Sequence, residues 1–303
     1  MAGESLERLL AASPSLAPAL RGIERAARAD TPILILGESG TGRSSLARAV
    51  HYAGRRADGP LVEVDPGVIP ATLFESDLFG YRAGAFTGAE SHTDGRVTQA
   101  HGGTLILDHV EALPVTSQPK LLRLLAEKKY APLGGRERSA DVRFVATAAS
   151  DLKRRVDSGA FRPDLFYRLD VVSYRLPPLR DRLADLPTLI PYLLEDLSRR
   201  FARPAPSLTD AARDWMGDYT WPGNLRQLRN LLEREMILHA HDVLDPDPPP
   251  DAVERRPCSL QELEREHILK TLAYTRGRQG EAADILGISR KSLWEKRKRF
   301  GIP

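Results

Sequence analysis

Short apolar runs alternate with helical patterns over the first 175 residues. The runs at 33–36, 61–64, 104–108, 142–147 and 171–174 are strand-length and mainly apolar, as strands covered on both faces tend to be. The stretches between them space their apolar residues at helical intervals. This predicts an α/β domain over residues 1–175, built on a largely parallel sheet. From Leu183 to Ala240 the strand signals stop and amphipathic helices take over, broken at Ala202–Pro206 and at Trp221-Pro222-Gly223-Asn224. A helical subdomain is therefore expected over 176–243. Asp245-Pro246-Asp247-Pro248-Pro249-Pro250-Asp251 cannot continue a helix and reads as a stiff linker, residues 244–257. The remaining residues, 258–303, read as a small separate helical unit with little core of its own.

Composition changes this picture little. The chain has 303 residues, 42% hydrophobic and 28% charged, which is ordinary for a soluble globular protein. No apolar stretch reaches membrane-spanning length, and the N-terminus lacks a basic region followed by an apolar core. The single cysteine, Cys258, excludes an internal disulfide framework and suits a reducing cytoplasm. Net charge is only +3, but its distribution is uneven: Arg290, Lys291, Lys296, Arg297, Lys298 and Arg299 crowd the C-terminus against one acid, Glu295.

Candidate chemistry begins at Gly37-Glu38-Ser39-Gly40-Thr41-Gly42-Arg43-Ser44, between an apolar strand and a helix. Glycines at these intervals free successive backbone N–H groups to wrap the phosphates of a nucleotide, and the final hydroxyl helps hold Mg²⁺. The usual lysine is Arg43. Gly102-Gly103 leads into Thr104-Leu105-Ile106-Leu107-Asp108, an apolar strand ending in an acid placed to hold that Mg²⁺. The next position, where a glutamate often activates water, is His109. It reads either as a substitute base or as a loop histidine without a role. ATP and Mg²⁺ are the expected ligands.

Further along, Gly84-Ala85-Phe86-Thr87-Gly88-Ala89 follows ESDLFGYR, and QPKLLRLL, GAFRPDLFYRLDV, LPPLRDR and WPGNLRQLRN come after it. In these motifs the chain resembles the AAA+ activators of sigma-54 RNA polymerase over nearly its whole length. The resemblance implies a P-loop sheet domain with a helical lid and a mobile loop at 84–89 that touches sigma-54. It implies that Arg162 and Arg168 act as arginine fingers on a neighbour's nucleotide in a hexameric ring. It also implies that Arg226 couples the lid to the nucleotide.

The departures from that pattern gather around hydrolysis. Arg43 replaces lysine and His109 replaces glutamate. Asp65-Pro66 stands where the family has Asn-Cys, whose asparagine restrains the glutamate, and Ala148-Ala149 falls on the sensor Thr-Asn. Ser44 instead matches the general P-loop, where this family usually has glutamate. The expectation is ATP binding with weakened hydrolysis. A second reading is a regulator that uses nucleotide only as a ligand, acting as a repressor or as a passive partner of an active paralogue in mixed rings.

The C-terminus resembles a Fis-like helix-turn-helix that dimerises and binds double-stranded DNA. Leu260, Leu263, His267-Ile268 and Leu272 mark one face of a long first helix, and Leu286-Gly287-Ile288 reads as the turn. Ser289 is a candidate N-cap. Arg290, Lys291 and Ser292 stand at the front of the recognition helix, with Lys296 and Arg297 behind them for phosphates. The fold begins near residue 5 with no sensor domain ahead of it, so control is expected from elsewhere.

Overall fold

The structure is a computed structural model describing residues 5–87, 89–239, 241–249, 260–275, 278–300 and 302. Gly88 and most of the expected linker lie outside the described residues. The chain separates into two units, residues 1–247 and 248–303.

The first unit opens with α1 (Leu6–Ala12), α2 (Ile23–Arg28), β1 (Ile33–Gly37), α3 (Arg43–Tyr52), β2 (Leu61–Val64) and α4 (Ala71–Phe79). A two-stranded ribbon of β3 (Gly80–Tyr81) and β4 (Thr93–Asp94) brackets the 84–89 segment, followed by α5 (Arg96–Gln99) and β5 (Thr104–Leu107). Next come α6 (Gln118–Glu127), the hairpin of β6 (Lys129–Tyr130) and β7 (Arg138–Ser139), and β8 (Arg143–Ala148). The sheet region closes with α7 (Leu152–Asp157), α8 (Pro163–Leu169) and β9 (Val172–Leu176).

Five of these strands form one sheet in the order β2-β5-β8-β1-β9. Every pairing in it is parallel. The expected strands therefore fall within two residues of the observed ones. Because side chains alternate across a strand, the sheet divides its apolar residues between two cores. Leu34, Leu105, Leu107, Phe144, Ala146 and Ala148 pack with α4, α6 and α8. Ile33, Ile35, Ile106, Val145 and Leu176 pack with Leu46, Ala47 and Val50 of α3. Full burial of each Leu or Ile contributes roughly 1.5–3 kcal/mol, so a one-residue slip of any strand would exchange the two faces.

The lid comprises α9 (Leu186–Phe201), β10 (Ser207–Leu208), α10 (Asp210–Asp218), α11 (Asn224–Leu238) and β11 (Val243–Leu244). The breaks fall where the sequence placed them, with Ala202 in the left-handed region at the end of α9 and Trp221 and Asn224 left-handed in the next turn. Trp221 is fully buried, in ring contact with Trp215 and Tyr219, and its indole N–H donates to the Met216 carbonyl.

The second unit is a three-helix assembly of α12 (Leu260–Tyr274), α13 (Gln279–Leu286) and α14 (Arg290–Phe300) around Ile268, Leu272, Ala282, Ala283 and Leu293. Among the described residues no helix is long and apolar enough to cross a membrane.

Candidate functional site

The sheet order decides which residues meet. β8 lies between β1 and β5, with Ile35 opposite Thr147 and Leu107 opposite Ala146. The ends of all three strands therefore converge where the P-loop leaves β1, the place where open parallel sheets bind ligands. Gly40 (φ +78°) and Gly42 (φ +103°) hold the left-handed turns of that loop. Asp108 follows β5 on the face of Ile106, the face against which α3 packs. Ser44, at the start of α3, donates its hydroxyl to Asp108 Oδ2 at 2.8 Å. The Thr147 hydroxyl donates to the other carboxylate oxygen. Burial alone would raise the Asp108 carboxyl, but the bonds from Thr147 and Ser44 and the charges of His109 and Arg43 outweigh it and hold it low. Two hydroxyls on an ionised carboxylate beside a glycine-rich loop suit the hard oxygen coordination that Mg²⁺ prefers.

Thr147 was not singled out by its motif position. The sensor hydroxyl is indeed missing at Ala148, which faces the opposite core. One residue earlier, strand alternation turns Thr147 toward Asp108. The signal was available in the parity of β8.

His109 and Asp65 are also resolved. His109 adopts φ 52°, ψ 51°, and its backbone N–H donates to Thr147 Oγ1 at 3.2 Å. Its Nδ1 lies 3.0 Å from Asp65 Oδ2, while the Gly67 N–H donates to Asp65 Oδ1 at 2.8 Å. His109 and Asp65 are therefore partners across neighbouring strands. Together with Asp108 they bring two carboxylates and an imidazole within 4.8 Å of one another. A cleft of about 260 Å³ runs from this point past Thr41, Gly42, Arg43, Ser44 and Arg226.

Arg43 is buried and donates from Nη1 to the Gly37 carbonyl at 3.0 Å. Burial pushes its guanidinium below its ordinary pKa, with Glu111 and Asp108 opposing. A planar fork folded back onto its own loop differs from a flexible ammonium reaching toward phosphate. The Glu38 side chain turns from the loop to the lid. Arg180 grips it through 2.6 and 2.9 Å bonds, and Asn224 Nδ2 donates to it at 3.4 Å. Asn224 also donates to the Ser39 carbonyl and accepts from the Leu179 N–H. Arg226 donates to Ser39 Oγ at 3.0 Å, so it lies over the loop. From below, buried Arg182 donates to the Thr41 carbonyl and to Ser13 Oγ.

The implied fingers lie apart from this cluster. Arg162 forms a two-bond pair with Asp164, and Arg168 reaches the carbonyls of Leu125 and Ala126. Among the described residues neither bonds to its own P-loop. In the 84–89 segment Gly84 is left-handed (φ +79°), and its N–H donates to the Ala89 carbonyl at 2.8 Å. Phe86 is 42% exposed and meets Tyr81 edge-on at 5.0 Å, a Cβ added at Gly134 would lie 3.0 Å from Ala85 Cβ, and Thr87 is exposed.

In the second unit Ser289 caps α14 by accepting from the Ser292 N–H at 3.1 Å, and Gly287 makes the left-handed turn. The Ser289 and Ser292 hydroxyls bond one another at 2.9 Å. Arg290 and Lys291 are exposed, with the Arg290 guanidinium lying against Gly280. Lys296 is paired with Glu264 of α12 and acts as a strut between helices, and Arg297 is partly buried. Trp294, which sequence reasoning passed over, is 56% exposed on α14 with the Lys298 ammonium 5.5 Å from its ring centre.

Residues 9–175 match the Sigma-54 interaction domain, 180–265 the AAA+ ATPase lid domain, and 259–300 the Bacterial regulatory protein, Fis family. The alginate biosynthesis transcriptional regulatory protein AlgB of Pseudomonas aeruginosa is 42% identical over 300 residues, 96% of this chain and 67% of that protein. The DNA-binding transcriptional regulator NtrC of Rhizobium meliloti is 36% identical, covering 97% of this chain and 70% of that one. NtrX from Brucella abortus, solved in complex with ADP, superposes with a TM-score of 0.72 at 30% identity, over 98% of this chain and 72% of its own. Hsp104 of S. cerevisiae, at 20% identity and a TM-score of 0.54, shares the fold alone. The chain spans about two thirds of the length of the curated relatives it matches. On these matches the chain belongs to the sigma-54 activator family of AAA+ proteins, with that family's helical lid and a Fis-type helix-turn-helix.

Proposed function

We propose that this protein is a transcriptional regulator that binds Mg-ATP in a ring of copies and turns it over slowly. It contacts sigma-54 polymerase through residues 84–89 and enhancer DNA through α14. The observation that carries the reading is Asp108 held between Ser44 and Thr147 at the P-loop, with Arg226 resting on Ser39. When bound, Mg²⁺ supplies charge neutralisation at the phosphates, and Ser44 and Asp108 are the residues that would hold it. Arg162 and Arg168 are solvent-facing and away from their own loop, which suits contacts across a subunit boundary. Slow turnover follows from Arg43, whose guanidinium is folded onto Gly37.

The test is open-complex formation by sigma-54 polymerase with ATP, beside steady-state phosphate release. Remodelling that depends on Thr87 and on ATP, with turnover below the usual ~1 s⁻¹, is expected. Failure of Mg-ATP to bind at millimolar concentration would refute the reading.

A further inference from the structure

The carboxylate of Asp65 is fixed at both ends. Oδ1 accepts the Gly67 N–H and Oδ2 faces His109 Nδ1 at 3.0 Å. An ionised carboxylate only accepts, so a neutral ring making this contact carries its proton on Nδ1 and presents the lone pair of Nε2. The ring is held from its backbone as well, since the His109 N–H is bonded to Thr147 Oγ1, which in turn donates to Asp108. The imidazole lines the same cleft as Thr41, Gly42, Arg43 and Ser44, where the phosphates of a nucleotide would rest. The side chains at 65 and 109 are thus bonded to one another rather than being two separate departures.

We propose that Asp65 is a positioning residue that aims His109 Nε2 at the water attacking ATP, so the residual turnover of this site runs through an Asp65–His109 pair. In the step, the water oxygen bonds to the γ-phosphorus as that phosphorus parts from the β,γ-bridging oxygen. The water proton passes to Nε2, and ADP leaves with the bridging electron pair. Asp65 keeps Nδ1 protonated throughout and so sets which nitrogen accepts. The proposal rests on the nucleotide reading above, and it carries a consequence for repair of the site: a glutamate at 109 alone would place two carboxylates together, so it functions only when residue 65 is changed too.

The experiment measures phosphate release by the full chain at saturating Mg-ATP, with binding of a non-hydrolysable ATP analogue measured separately by calorimetry. Asp65→Asn is nearly isosteric and is expected to lower kcat about tenfold or more, within the range of positioned acid–base groups. KM and analogue affinity should stay within about twofold. His109→Ala should fall as far, and the double variant no further, because the two act as a unit. Asp65→Asn/His109→Glu should exceed His109→Glu by at least about tenfold. Where Asp65→Asn lowers soluble yield, His109→Gln gives the same reading from the partner position.

Wild-type kcat in Asp65→Asn, or equal rates for His109→Glu with and without the second change, would overturn the pair. So would an Asp65→Asn defect repaired simply by raising Mg²⁺, which would make the cluster a cation site. Analogue binding without any wild-type turnover above an Asp108→Ala control removes the pair and leaves nucleotide binding standing. Loss of analogue binding removes both.

Discussion

Gly40 is the residue on which the seating of the lid on the P-loop is most directly tested. Its φ of +78° is shared by Gly22, but their surroundings differ. A Cβ at Gly22 meets nothing within 4 Å, whereas one at Gly40 falls 2.4 Å from the Gly223 carbonyl oxygen and 3.1 Å from Arg226 Cβ. Gly22→Ala therefore isolates the backbone term, about 1 kcal/mol for a left-handed alanine. Gly40→Ala adds a collision that only displacement of the Trp221–Asn224 turn can relieve. That movement loosens the Asn224 bonds to Leu179 (2.7 Å) and to Ser39 (3.0 Å) and the Arg226 bond to Ser39. At about 1 kcal/mol net per bond, Gly40→Ala should cost about 2–3 kcal/mol beyond Gly22→Ala. Urea unfolding followed by tryptophan fluorescence in a Trp294→Phe background reads this out, because Trp215 and Trp221 both lie in the lid. Midpoints for the two variants corresponding to within about 0.5 kcal/mol would refute the argument that lid and loop are one packed unit.

Other consequences are as concrete. Trp221→Ala empties a fully buried indole site and orphans the Met216 carbonyl, so the lid should lose about 3–5 kcal/mol in the same assay. The folded Asp108 carboxyl titrates below its ordinary value of 3.8, so the stability it adds is full above about pH 4 and fades as protonation sets in below. Asp108→Asn should flatten the acid limb of the melting-temperature profile. On DNA, Arg290→Ala and Lys291→Ala should each cost about 1–3 kcal/mol on the preferred site and relax specificity there. Lys296→Ala should leave that affinity nearly unchanged and instead lower the melting temperature of the second unit, since its partner is Glu264.

The hydrophobic pattern made the sheet and the lid legible because both are governed by period: two for the faces of β8 and 3.6 for α9 and α11. The P-loop and Asp108 were legible because their residue types permit few other uses. What the pattern hid was lateral. Asp65 and His109 lie 44 positions apart and meet only because β2 and β5 are neighbours in the sheet. Thr147 was concealed for a related reason, since a motif read as a string assigns a role to a position, whereas a strand assigns it to a face. Lys296 belonged to a run of cations, and only the approach of α12 reveals its pairing with Glu264.

The backbone at His109 lies where L-residues are disfavoured by about 1 kcal/mol. Glycine would relieve that strain, but it would also lose the Asp65 contact and free the unfolded chain, so any rise in melting temperature would be small and would come with the imidazole stripped from the cleft. Heat tolerance gained at this position would therefore be gained at the expense of the cleft's own lining.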